Sequence, residues 1–289
     1  MRDKQSRWRS WRVSVLEASR PRLDAEAVFT DCLRRVRHRL DDTGLRHTVS
    51  QYQRAVFIYR GLGHDHRLSA YETRLLGSLG PEQLERMYRR HLRDGLERSH
   101  YDELLVHAPG GRCLYCGIGV AYTLDHYLPI SRYPDLAVLP DNLVPACRDC
   151  NSFKSDFTPT DAPEELFHPY FDRWRADLIL TADLNYGDSA SIEFRFEPDG
   201  PARIPAHRAN RHLTRLSIDV AYAIQAGTEL AERRPALSEL AALAGHEAVD
   251  DLLNREAASR TQVAKNSWSA ALLRALVQDP GFRERWLST

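Results

Sequence analysis

Four of the five cysteines in this 289-residue chain fall into two matched pairs, Cys113/Cys116 and Cys147/Cys150. Each pair is a Cys-x-x-Cys, the spacing at which one tight turn aims two thiolates at a single metal ion. Two such knuckles complete a tetrahedral all-sulfur shell, the usual closed site for structural Zn2+. The competing reading is two unrelated reduced thiol pairs, or disulfides. The fifth cysteine, Cys32, lies in a helical pattern and reads as a buried thiol.

The insert between the knuckles holds a second chemistry. Asp125-His126 ends a short apolar run and precedes Tyr127-Leu128-Pro129, as at the end of a β-strand. Neighbours on a strand point to opposite faces, so one residue can hold a cation while the other addresses a water. A histidine is the natural general base near neutral pH, and a carboxylate suits a hard divalent cation. Asn142 follows in the insert, and Asn151 and Lys154 lie just past Cys150. Lys154 is one of only three lysines beside 37 arginines. It is a candidate contact for a substrate phosphate, or a solvated helix residue. His168 is a candidate metal or phosphate contact, or a staple between a loop and the core.

Cys-x-x-Cys, then Asp-His, then Asn, then Cys-x-x-Cys-Asn-x-x-Lys resembles the HNH endonucleases, the ββα-metal fold, over roughly residues 112–156. The resemblance implies that Asp125 binds the catalytic metal and His126 is the general base. It implies that Asn142 orients the base and its loop and that Asn151 is the second metal ligand. The last histidine of the family name is here an asparagine, an H-N-N variant. Its neutral oxygen makes Mg2+ or Mn2+ the expected catalytic ion rather than zinc. The runs Ser-Arg-Tyr-Pro and Asp-Asn-Leu further resemble HNH proteins of bacterial anti-phage defence systems, some of which partner an ATPase. DNA is the substrate this resemblance favours; no residue excludes RNA.

The rest of the chain must position these groups. The expected fold class is α+β and mainly helical: a ββα-metal core with two zinc knuckles, flanked by helical regions and a β-hairpin. The expected division is a basic helical region at 1–108, a nuclease module at 109–175, the hairpin at 176–200 and a helical region at 201–289. Helices are expected around Phe29–Leu40, Gln51–Tyr59, Ser69–Leu79 and Pro81–Leu96, with breaks at 41–44 and 61–65. Alternation at Leu178, Leu180, Ala182 and Leu184, and at Ile192, Phe194 and Phe196, marks the hairpin. Further helices are expected through Leu213, Leu216, Val220 and Ile224, then over Pro235–Leu243, Asp250–Arg260 and Ser267–Val277.

Net charge is zero, with 40 basic and 40 acidic residues, so the total gives no nucleic-acid signal. The distribution does. Residues 1–112 carry 22 Lys/Arg against 15 Asp/Glu, and residues 163–200 carry three against nine. Arg-rich faces at 34–39, at 86–93 and at 203–215, and the interleaved Arg7, Trp8, Arg9, Trp11 and Arg12, are candidate phosphate or base contacts. No apolar leader or membrane-length run is seen, and reduced cysteine pairs fit the cytoplasm. No nucleotide-binding loop is present, so an ATP-driven step would need another chain. The alternative to a nuclease is a non-catalytic, zinc-stabilised nucleic-acid-binding or adaptor subunit. A third possibility is a nuclease active only inside an assembly.

Overall fold

The computed structural model describes residues 19–36, 42–172, 178–186, 190–200 and 205–287. The N-terminal Arg/Trp run, Arg37, Arg39 and Leu40, and Arg203 lie outside the described residues. Among the described residues the chain is mainly helical with two small antiparallel sheets, and it forms two compact units, Met1–Asp172 and Arg173–Thr289. The sequence suggests four segments. The first two share one unit because the N-terminal helices and the cysteine-bracketed module bury their side chains against each other.

In the first unit, α1 (Ala25–Arg35) starts at Asp24, whose carboxylate caps the Glu26 amide, and buries Val28, Phe29 and Leu33. α2 (Asp42–His64) buries Tyr52, Val56 and Tyr59 on one face, and Phe29 stacks on Tyr52 at 4.0 Å. α2 runs through the glycines expected to break it. At Gly63 a Cβ would lie 2.7 Å from the Phe171 ring, so the bare backbone is what admits that aromatic. The helix expected over Ser69–Leu79 does not form. Only the turn Leu68–Ala70 is helical, and the next residues are drawn to Asp135, which binds Tyr71 Oη, Thr73 Oγ1 and the Arg74 amide. α3 (Pro81–Arg86) opens with proline in its first turn. It continues in wider turns to Arg93, burying Leu84, Tyr88 and Leu92 and leaving Arg86, Arg89 and Arg90 exposed. α4 spans Arg98–Val106.

These helices enclose a ββα unit: β1 (Thr123–His126), β2 (Leu143–Ala146) and α5 (Arg148–Lys154). β1 and β2 are antiparallel, with Asp125 opposite Val144 and His126 opposite Leu143. The outward edge of β1 is closed by side chains: the Leu124 amide donates to Tyr101 Oη, and Tyr88 Oη donates to the Leu124 carbonyl.

In the second unit, β3 (Leu178–Tyr186) and β4 (Ala190–Pro198) form the expected hairpin, with Leu180 opposite Phe196. It packs with α6 (Ala206–Arg215), α7 (Ile218–Val263) and α8 (Trp268–Gln278). The apolar spacing read through Leu213, Leu216, Val220 and Ile224 crosses a break at Ser217, which has φ +50°. Val220 and Ile224 are therefore exposed, and the buried stripe is Ile218, Tyr222, Ala226 and Leu230. α7 passes through Pro235 and changes direction at Gly245. Arg208 is buried, so it is no part of an exposed basic face. Among the described residues no helix is long and apolar enough to cross a membrane.

Candidate active site

The cysteines sit where local backbone puts them. The first knuckle lies on a turn between paired Arg112 and Val120, where the Cys113 amide donates to the Gly119 carbonyl. The second opens α5, with Cys147 as N-cap and its sulfur accepting from the Cys150 amide. All four cysteines are buried and their sulfurs lie within 4.8 Å of one another; Cys116 Sγ and Cys147 Sγ are 3.9 Å apart. That is close to the sulfur spacing of a tetrahedral zinc site with Zn–S bonds of about 2.3 Å. A Cβ on Gly119 would fall 2.6 Å from Cys147 Cβ, so only glycine lets the knuckles close to this distance. The cluster is a zinc-type site held by Cys113, Cys116, Cys147 and Cys150. Cys32 stands apart, with burial, then Glu97 and Asp31, pushing its thiol up to about 12.

β1 delivers Asp125 and His126 to opposite faces. On one face, Asp125 Oδ2 accepts from Tyr115 Oη at 2.7 Å and lies 3.0 Å from Lys154 Nζ. Lys154 Nζ also donates to the His126 carbonyl at 2.6 Å. Asp125 and Lys154 are 4% and 1% exposed, so this is an interior ion pair, and Lys154 is turned inward rather than to the surface. Burial pushes the Asp125 carboxyl up, opposed by Lys154 and by the Tyr115 hydrogen bond. On α5, half-buried Asn151 donates to Thr123 Oγ1 at 3.2 Å, on the same face of β1 as Asp125.

On the other face, His126 Nε2 lies 2.8 Å from the Ala137 carbonyl, and its ring meets Tyr88 edge-on at 4.4 Å. A carbonyl only accepts, so Nε2 carries the proton and Nδ1 presents its lone pair. Nδ1 has no hydrogen-bond partner among the described residues. Burial, aided by Lys154, holds the ring down at about 4, against the opposing Ala137 hydrogen bond, so it is neutral at pH 7.

The loop between β1 and β2 carries the Ala137 carbonyl and is fixed from several sides. Asn142 Oδ1 accepts from the Leu128 amide at 2.8 Å, and its Nδ2 donates to the Leu128 carbonyl at 3.0 Å. Asp141 is bound by Arg60 and Arg20, and Asp135 by residues 71–74. His168 is buried, with the Tyr170 amide donating to Nδ1 and Tyr59 Oη 3.0 Å from Nε2. The sequence reading did not single out Tyr59, Tyr88, Tyr115, Asp135 or Asp141. Tyr59 and Tyr88 showed in the sequence only as inward positions of the helices expected at 51–59 and 81–96, Tyr115 only as filling between Cys113 and Cys116, and Asp141 only within the Asp-Asn-Leu run. Outside this region Asp31, Glu97 and His100 also converge, but Arg34 and Arg35 pair with the two carboxylates.

Residues 113–157 match the family model of the HNH endonuclease. The chain is 36% identical over 167 residues to protein ea31 of Escherichia phage lambda, a stretch covering 55% of this chain and 56% of that protein. The chain therefore spans about half the length of the curated relative it matches. No solved structure matches it significantly.

Proposed function

We propose that this protein is a metal-dependent HNH endonuclease that hydrolyses phosphodiester bonds in DNA, with His126 as general base. The observation carrying the reading is the His126 ring. It is neutral, its Nε2–H is tied to a loop carbonyl, and its Nδ1 lone pair is spare, beside a carboxylate on the other face of the same strand. Nδ1 takes the proton of an attacking water, and the Ala137 carbonyl stabilises the imidazolium so formed. Asn142 keeps the loop, and hence that carbonyl, in place.

Asp125 and Asn151 supply a carboxylate and an amide oxygen, a donor pair suited to Mg2+ or Mn2+. The Lys154 ammonium on Asp125 is a stand-in cation, which supports positive charge at that position. A divalent ion held there would stabilise charge on the phosphate and the departing 3′ oxygen. Lys154, once off Asp125, is a candidate for a substrate phosphate. His168, with both ring nitrogens engaged inside the protein, is assigned a holding role instead. The exposed Arg86, Arg89 and Arg90 are candidates for backbone phosphates. A role in anti-phage defence, with or without an ATPase partner, rests on the family resemblance.

The second reading, a non-catalytic zinc-stabilised adaptor, draws support from Asp125, whose carboxylate is already satisfied by Tyr115 and Lys154. A cleavage assay separates the two. Purified protein is given supercoiled plasmid, linear duplex, single-stranded DNA and RNA, with Mg2+, Mn2+ or chelator, beside His126→Ala. Metal-dependent cutting of DNA that the variant lacks is the expected result. Cutting retained by His126→Ala overturns the base assignment, and no cutting on any substrate points to the adaptor or to a nuclease that acts only with a partner, which co-purification from the native host separates.

A further inference from the structure

Tyr59 comes from α2, 83 residues away in sequence from Asn142 and outside the segment that matches the HNH model. Its hydroxyl is 3.0 Å from Asn142 Oδ1 and 3.0 Å from His168 Nε2. All three residues are buried.

The proton positions along this chain follow from elementary donor and acceptor rules. The Tyr170 amide can only donate, so His168 Nδ1 must be the unprotonated nitrogen. The proton of the ring is then on Nε2, which donates to Tyr59 Oη. The single proton of Tyr59 is left to donate onward to Asn142 Oδ1. The amide of Asn142 cannot be turned over, because Leu128 offers it a backbone N–H on one side and a carbonyl on the other. A directed series of hydrogen bonds therefore runs from Tyr170 through His168, Tyr59 and Asn142 to Leu128. Leu128 lies two residues past His126, and the Tyr127 amide between them donates to the Asn142 carbonyl at 2.9 Å.

We propose that Tyr59 and His168 are positioning residues of the active site. Through Asn142 they fix the loop whose Ala137 carbonyl sets the tautomer of His126. This rests on the reading of His126 as general base. It extends the site beyond the residues of the HNH motif, to one on an N-terminal helix and one past α5.

The test uses the full chain and two kinds of variant. Tyr59→Phe keeps the ring that packs against Tyr71 and Phe171 and removes only the hydroxyl. His168→Gln keeps an N–H donor near Tyr59, whereas His168→Leu does not. Three quantities are read: zinc content, the ring 15N shifts of His126 without substrate, and kcat and KM for plasmid cleavage. For Tyr59→Phe we expect full zinc, a His126 ring no longer held in the single Nε2–H tautomer, and kcat down about tenfold or more with KM unchanged. His168→Leu should behave alike, His168→Gln should keep most of the rate, and combining Tyr59→Phe with His168→Leu should add little to either.

A Tyr59→Phe protein with wild-type kcat and an unaltered His126 tautomer overturns the proposal. So does loss of rate in His168→Gln as deep as in His168→Leu. Should Tyr59→Phe fail to fold, the two His168 variants decide the matter. The tautomer measurement needs no cleavage, so it tests the relay even if His126→Ala shows that His126 is not the base.

Discussion

The two units use the same device to different ends. In the second unit, Asn210 accepts from the Phe196 amide and donates to the Phe196 carbonyl, closing the edge of β4. Asn266 does the same for β3 through the Leu180 amide and the Leu178 carbonyl. In the first unit Asn142 clamps Leu128 in this way. An amide laid along a backbone is thus ordinary structural work. What sets Asn142 apart is its further donor, Tyr59, and the loop it holds against His126. The buried charges differ in kind. The first unit buries the carboxylates of Asp125, Asp135 and Asp141 together with Lys154, whereas the second buries Arg208 and keeps Glu229, Arg233, Glu256 and Arg260 in a partly exposed lattice.

The largest expected effect is on the zinc-type cluster. Cys147→Ser should abolish the cooperative melting of the first unit and leave the transition of the second, because structural zinc contributes on the order of 10 kcal/mol to small folded sites. Calorimetry with zinc analysis checks this, and a zinc-free variant with both transitions intact would remove the structural claim. Next, His126→Ala should lower cleavage about 10²–10⁴-fold while both transitions and the zinc content persist.

The asparagines test the comparison most directly. Asn142→Ala should reduce cleavage sharply. Asn210→Ala should cost the second unit about 1–3 kcal/mol, read by denaturant melts, with cleavage unchanged. Equal effects of the two on cleavage would break the contrast.

The smallest effect concerns pH. Burial pushes Glu229 up, but hydrogen bonds and charge from Arg260 and Arg233 outweigh it and hold the carboxyl below its usual range. A depressed folded pKa stabilises above the unfolded value, near 4.5. That contribution is lost as pH falls through the folded value. Since the group is partly exposed and screened by salt, Glu229→Gln should shift acid stability of the second unit by less than about 1 kcal/mol.

Much of this was legible in the chain itself. The cysteine spacing, the strand ending in Asp125-His126 and the alternation of the hairpin are local patterns, and local patterns fold locally. What escaped was set by distant partners. Tyr59 reaches Asn142 across 83 residues and His168 across 109, distances over which no periodicity carries information. The 69–79 segment escaped for the same reason, since its backbone answers to Asp135 rather than to helix propensity. In α7 the apolar spacing was real, but Ser217 turned the helix so that a different stripe faced inward.

The clamped loop also bears on how such a motif can be moved between proteins. Asp135, Asp141 and Asn142 lie within the 45 residues that match the HNH model, but they take side-chain donors from Tyr59, Arg60, Tyr71 and Thr73 outside it. Cut out as a cassette, residues 113–157 would keep all four cysteines and the clamp of Asn142 on Leu128, but Asn142 would lose Tyr59, and Asp135 and Asp141 would lose these donors, at about 1–3 kcal/mol for each group left dry and unpaired. Recombination that respects this site must therefore carry α2 and the segment behind it along with the motif.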